Sequence, residues 1–139
     1  MSKTFATSIR IAAPAEKIWS ILTDVAAWPS WNTTVDHVEG AVAAGSTVTV
    51  HAKISPGRTF PVQVVELSPP SRMVWRSGMP LGLFTGERTF ELTPADGGTT
   101  FAMREVYTGL LAPLITRSIP DLQPAFDEMA ACLQRRAEV

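Results

Sequence analysis

The chain has 139 residues, with 12 basic and 13 acidic side chains for a net charge of −1, 45% hydrophobic and 18% charged. That is the size of one domain, so we expect a single domain over residues 1–139, apolar enough to bury a core without staples. The balanced charge leaves no footprint for nucleic acid, and the single cysteine, Cys132, excludes an internal disulfide and fits a reducing, cytoplasmic setting.

From the N-terminus, Thr4 to Ala12 alternates, with Phe5, Thr7, Ile9 and Ile11 on one side, as a half-buried strand does. Charged residues from Lys3 to Lys17 interrupt any apolar run there, so no signal peptide is expected. Pro14 occupies a predicted first helical position, and Ile18, Trp19, Leu22 and Val25 follow at helical spacing. Asp24 is placed to cap a second short helix reaching Trp28. The stretch from Trp28 to Asn32 reads as a turn, because the residue before a proline avoids the helical region.

Between Val35 and Gly109 the pattern is strands and turns. Thr47 to Lys53, Phe60 to Leu67, Arg72 to Ser77, Phe84 to Thr93 and Thr99 to Thr108 are separated by Gly/Pro clusters, as an antiparallel meander requires. The longest apolar stretch, Gly109 to Ile115, is too short to span a membrane. Ile115, Ile119, Leu122, Phe126, Met129 and Leu133 then recur at spacings of 4, 3, 4, 3 and 4, one apolar stripe. The stripe keeps phase across Pro120 and Pro124, which predicts one long helix kinked at the prolines. The fold class is therefore α+β: an antiparallel sheet of six to seven strands curved around a long C-terminal helix, with two short helices after strand 1. Curvature that outruns side-chain length leaves a gap, and such gaps take ligands.

This element order resembles the SRPBCC superfamily, which has the helix-grip fold and includes polyketide cyclases, START lipid-transfer domains and pollen-allergen-like carriers. The matching stretches are Ile11-Ala-Ala-Pro-Ala-Glu-Lys-Ile-Trp19, Leu22-Thr-Asp24, Trp28-Pro-Ser-Trp31, Arg72-Met-Val-Trp75-Arg76, Phe90-Glu-Leu92 and Asp96-Gly-Gly-Thr99, followed by Glu105 and Gly109. The resemblance implies a cavity and names no reaction, since the fold hosts carriers and enzymes alike.

Centring the last hairpin on Pro94 to Gly98 pairs Leu92 with Phe101, Phe90 with Met103, Arg88 with Glu105, and Gly86 with Tyr107. Alternation then puts Arg88, Glu105 and Tyr107 on the inner face with Phe90 and Met103. The three polar residues are the candidates for catalysis or for anchoring a ligand; a self-satisfied ion pair is the other reading. An arginine beside Glu105 makes that carboxylate a weak base, whereas an arginine turned to a ligand leaves it in apolar surroundings suited to acid–base work.

Trp28, Trp31 and Trp75 read as core or as pocket wall, Trp19 as core. Phe84 lies with Leu81 and Leu83 in one punctuated link, and Leu114 with Leu110 and Leu111 in another. These links are candidates for a cavity mouth or a partner surface. Leu122 and Phe126 present the helix stripe to the cavity.

His37 and His51 have no further ligand at metal spacing in the sequence, and His51 alternates with Val50 and Ala52 as an outward residue does. Cys132 reads as a quiet half-buried thiol. No metal and no cofactor is implied.

The expected activity is binding of an apolar or aromatic, lipid- or polyketide-like molecule by a monomer or homodimer. Two alternatives stay open: a polyketide cyclase, aromatase or dehydratase using the same cavity, and a protein-interaction module of the chaperone-ATPase-activator type. Burying about 300 Å² of ligand at about 25 cal/mol/Å² gives roughly 7 kcal/mol gross. Association costs of at least about 4 kcal/mol leave little without polar contacts. A specific ligand therefore needs Arg88, Glu105 or Tyr107.

Overall fold

The computed structural model describes residues 3–139. Strand β1 (Lys3–Ile11) leads into helix α1 (Ala15–Thr23) and a 3₁₀ helix (Val25–Ser30). Six strands follow: β2 (Val35–Glu39), β3 (Thr47–Ala52), β4 (Phe60–Ser68), β5 (Arg72–Met79), β6 (Phe84–Ala95) and β7 (Gly98–Thr108). The chain ends with a four-residue helix α2 (Ala112–Ile115), a 3₁₀ turn (Thr116–Ser118) and helix α3 (Gln123–Ala137). The seven strands form one antiparallel sheet in the order β1-β7-β6-β5-β4-β3-β2. This is the expected helix-grip arrangement, a curled sheet closed against the C-terminal helix.

The alternation expected of β1 holds: Phe5 and Ile11 are buried, while Thr4, Ala6, Ser8 and Arg10 are exposed. Pro14 sits one residue before the helix rather than in it, at φ −71° and ψ 152°. The 3₁₀ helix runs through Pro29 to Ser30, where a turn was expected. Pro29 sits inside its last turn, and Trp28 just before it is buried in the core.

The single long C-terminal helix is not what forms. Ile119, ahead of Pro120, adopts extended backbone (φ −81°, ψ 128°), as a pre-proline residue prefers. Pro124 falls at the start of α3, where its missing N–H costs nothing because first-turn donors have no helical partner. One proline thus ends the first helical segment and the other begins the second. The apolar stripe survives in a different form: Ile115, Ile119 and Leu122 are half-buried on the interrupted part, and Phe126, Met129 and Leu133 are buried on α3.

α3 is held along the free edge of β1, which would otherwise present unpaired backbone groups. Gln123 Nε2 donates to Ala6 O at 2.7 Å, and Gln134 Nε2 donates to Arg10 O at 2.8 Å. Glu138 Oε2 accepts from Ala12 N at 2.9 Å, and Thr7 Oγ1 donates to Asp127 Oδ1 at 2.8 Å. Side chains spaced along α3 stand in for an eighth strand. Two bulges, at Val35/His37 between β2 and β3 and at Val64/Glu66 between β4 and β5, add local twist and help curl the sheet.

Phe101 is fully buried in the core and off the cavity, whereas one side of the buried Phe126 ring borders open space described below. Phe101→Ala should cost about 3–5 kcal/mol of stability. Phe126→Ala should cost less, because it enlarges an existing space instead of creating a new one. Denaturant midpoints of the two variants give the order directly.

Candidate functional site

A cavity of about 440 Å³ lies between the concave face of the sheet and the interrupted C-terminal segment. The strands contribute Val50 and Ala52 from β3, Val62 from β4, Trp75 and Ser77 from β5, and side chains of β6 and β7. The other wall is Ile115, Ile119, Pro120 and Leu122 from the broken segment, with Phe126 and Met129 from α3. The break at Pro120 is therefore part of the cavity wall.

The hairpin register read from the sequence is the one observed: Arg88 pairs with Glu105, Gly86 with Tyr107, Phe90 with Met103, and Leu92 with Phe101. Arg88, Glu105 and Tyr107 all face the cavity. Glu105 Oε2 accepts two hydrogen bonds, from Arg88 Nη2 at 3.1 Å and from the Tyr107 hydroxyl at 2.6 Å. Arg88 also lies over the Phe126 ring, its Cζ 4.8 Å from the centroid, a cation–π contact. The Arg88 side chain is 23% exposed and that of Glu105 13%, so the pair is screened far less than a surface pair. Burial pushes the Tyr107 phenol well above the ordinary tyrosine range; the Glu105 charge and hydrogen bond act in the same direction, and Arg88 opposes them. Tyr107 is thus a neutral hydroxyl donor at physiological pH.

Tyr107 owes its pose to two neighbours. Its ring stacks on Phe84 at 5.7 Å and 12°. It also covers Gly86, where an added Cβ would stand 3.1 Å from Tyr107 Cε1. A glycine opposite an aromatic ring lets the ring lie flat on the sheet, with its hydroxyl carried toward Glu105 two residues back on the same face.

The tryptophans form an aromatic column. Trp28 stacks on Trp75 (5.6 Å, 18°) and meets Trp31 edge-on (5.8 Å, 63°), and Trp75 meets Phe90 edge-on (4.8 Å, 60°). Trp28 Nε1 donates to Leu22 O at 3.0 Å. Trp75 Nε1 and Arg88 Nε are buried and have no hydrogen-bond partner among the described residues. These two residues are cross-strand partners, and both line the cavity.

Of the residues singled out from the sequence, Trp28, Trp75, Phe84, Arg88, Met103, Glu105, Tyr107, Leu122 and Phe126 line this space. Three lie off it. Phe90 is fully buried beneath Trp75, Trp31 backs Trp28, and Leu114 is 65% exposed. In so short a helix as α2 only one side can face inward, and Ile115 takes that place. Of the two links read as a mouth or a partner surface, Phe84 lines the cavity. Leu81 and Leu110 project into solvent at 96% and 80% exposure, on links joined by Leu110 N→Gly82 O and Leu111 N→Leu83 O. Sequence reasoning missed the opposite rim, Ile54, Arg58 and Phe60, which flanks the Ser55-Pro56-Gly57 turn. The exposed apolar residues on either side of that turn were the available signal.

The chain belongs to the family described as polyketide cyclase / dehydrase and lipid transport, whose family model matches residues 2–138. It is 29% identical to the oxopyrrolidines biosynthesis cluster protein O of Penicillium oxalicum, over 64% of this chain and 59% of that protein, so it spans little more than half of this relative. Its fold matches the Zhui aromatase/cyclase from Streptomyces sp. R1128 (TM-score 0.76, 14% identity, 99% of this chain and 94% of that one). It also matches a START superfamily protein from Mycobacterium smegmatis (TM-score 0.65, 17% identity, 97% of each chain).

Two measurements test the polar trio. A double-mutant cycle with Arg88→Met and Glu105→Gln should give a coupling of at least about 1 kcal/mol; additive effects would mean the two do not interact. Tyr107 is the chain's only tyrosine, so its ultraviolet pH titration reads one residue. Because its pKa is raised on folding, tyrosinate absorbance should lag that of free tyrosine. The stability tied to the neutral phenol is whole below the unfolded value of about 10 and falls as pH rises above it.

Proposed function

We propose that the protein binds a small molecule with an apolar or aromatic body and a hydrogen-bond-accepting oxygen, of lipid- or polyketide-like character, within this cavity. The observation that carries the reading is the pairing of an apolar space of about 440 Å³ with two unpartnered buried donors, Arg88 Nε and Trp75 Nε1, on adjacent positions of its wall. The volume falls within the usual range of small-molecule sites and equals that of roughly 15 liquid waters. A buried donor without a partner costs about 1–3 kcal/mol; both nitrogens are closed off in this structure, so a side-chain shift that turns either toward a ligand carbonyl or carboxylate recovers that cost on binding. Aromatic stacking on Trp75 and Phe84 supplies the apolar part. The cavity itself counts against an interaction module, which calls for a filled interior.

A cyclase, aromatase or dehydratase is the second reading. What favours it is the presence, inside the same cavity, of a carboxylate in contact with a neutral phenol. If ligand draws Arg88 away, Glu105 keeps Tyr107 as its hydrogen-bond donor, and the two form an acid–base pair beside the bound molecule. The same residues would then position a substrate, exclude water and move one proton.

Native mass spectrometry of freshly purified protein should show a retained small molecule. An environment-sensitive aromatic carboxylate probe should bind with quenching of tryptophan emission, since Trp28 and Trp75 form the wall. Arg88→Met should weaken that probe at least about tenfold while leaving the fold intact. Ile119→Trp, which fills the cavity from the broken segment, should abolish binding. Retained affinity in Ile119→Trp would place binding elsewhere. Turnover of a poly-keto substrate, lost in Glu105→Gln, would select the enzyme over the carrier.

A further inference from the structure

On the outer face of the sheet, at the opposite side from the cavity, three donor-bearing side chains converge. His37 and His51 are cross-strand partners on β2 and β3, and Glu39 follows His37 two residues along β2 on the same face. The sequence spacing alone concealed this group, because its members meet only through the register. The bulge creates the meeting. Val35 pairs with Ala52 and His37 with His51, so Asp36 is an extra residue on β2. Val35 and Val38 are both buried although three apart, which an unbroken strand cannot arrange. The added residue resets the alternation and turns His37 and Glu39 outward, opposite His51. Bulges re-aim side chains in this way.

The two imidazoles stack at 3.8 Å and 19°. His37 Nε2 is 3.7 Å from Glu39 Oε1, and His51 Nε2 is 3.6 Å from Glu39 Oε2. Each distance is too long for a hydrogen bond. His51 Nε2 is moreover buried with no hydrogen-bond partner among the described residues. Donors that share a tetrahedral ion at 2.0–2.1 Å stand about 3.4 Å apart. All three donor atoms lie within 4.8 Å of one another. Bringing them onto one centre requires the side chains to rotate, the two imidazoles out of their stack.

We propose that His37, Glu39 and His51 form a site for a divalent transition-metal ion, distinct from the ligand cavity. Two neutral imidazoles and one carboxylate suit Zn²⁺, Ni²⁺ or Cu²⁺ over Mg²⁺ or Ca²⁺, which prefer all-oxygen sets. The remaining coordination positions fall to water. The ion clips β2, the five-residue strand at the edge of the sheet, to β3. Val50 and Ala52, which flank His51, line the cavity from the other face, so the clip braces that wall from outside.

The test uses untagged full-length protein titrated with zinc chloride by calorimetry, with thermal unfolding and Co²⁺ absorption spectra in parallel. One ion per chain should bind, raise the unfolding temperature, and give a ligand-field spectrum with Co²⁺. Mg²⁺ at the same concentration should do none of these. His51→Ala and the near-isosteric Glu39→Gln should each weaken Zn²⁺ at least about tenfold, as losing a ligand outdoes losing a supporting residue. His37→Ala/His51→Ala should remove the Co²⁺ spectrum. These are outer-face positions, and circular dichroism checks their folding. No binding at millimolar Zn²⁺, or equal binding by the double-alanine variant, overturns the proposal. A cavity probe that binds normally in these variants keeps this result separate from the function proposed above.

Discussion

The interior depends on one backbone constraint, the avoidance of helical geometry by Ile119 ahead of Pro120. A continuous helix from Ile115 to Leu133 would be a straight rod, and a rod can follow a curled sheet along one line only. The broken segment swings its first half away while still presenting Ile115, Ile119 and Leu122 inward. The hydrophobic stripe is satisfied, yet the space between stripe and sheet is not closed. A fold that packed this segment tightly would have a denser core and no room for a guest.

Opening that space exposes the inner face of the sheet to a low-dielectric environment, and the polar residues there have to be managed. Glu105 is managed fully, with a cation on one side and a hydroxyl on the other. Arg88 is managed partly: its Nη2 is engaged and its face rests on Phe126, but its Nε is not. Trp75 is in the same position, while Trp28, also on the cavity wall, has its N–H taken by Leu22 O. Unmet donors occur both at the cavity, on Arg88 and Trp75, and off it, on Trp31 and Asn32. A polar group left unmet in a packed interior is a plain loss, whereas at a cavity wall it is a selectivity element.

How far the sequence could be read followed from whether the information was local. The β6–β7 hairpin was legible because strict alternation of its apolar residues leaves few registers open and the strands close tightly, Ala95 pairing with Gly98 across Asp96 and Gly97. The trio of Arg88, Glu105 and Tyr107 came with it. The C-terminal stripe misled, because a spacing of 4-3-4-3-4 reports angular phase only. A break that advances the chain by nearly whole turns keeps that phase, so the pre-proline backbone preference was the better guide. The outward turn of His37 was hidden for a related reason. A bulge inverts alternation without leaving a gap in the pattern, and the two valines three apart in β2 are its single trace.

The Gly86–Tyr107 pairing limits how the cavity floor can vary. The Tyr107 ring occupies the volume a side chain at position 86 would need, with only 3.1 Å left for even a methyl group. The two positions thus share one fixed allotment of space and cannot be enlarged independently. If the residue at 107 shrinks, 86 is free to grow, and the bulk of the floor moves from β7 to β6. The floor keeps its height in that exchange but loses the hydroxyl beside Glu105. Shape and proton-donating capacity at this spot are therefore inherited together, so a lineage that remodels the floor to accept a different guest also changes the chemistry offered to it.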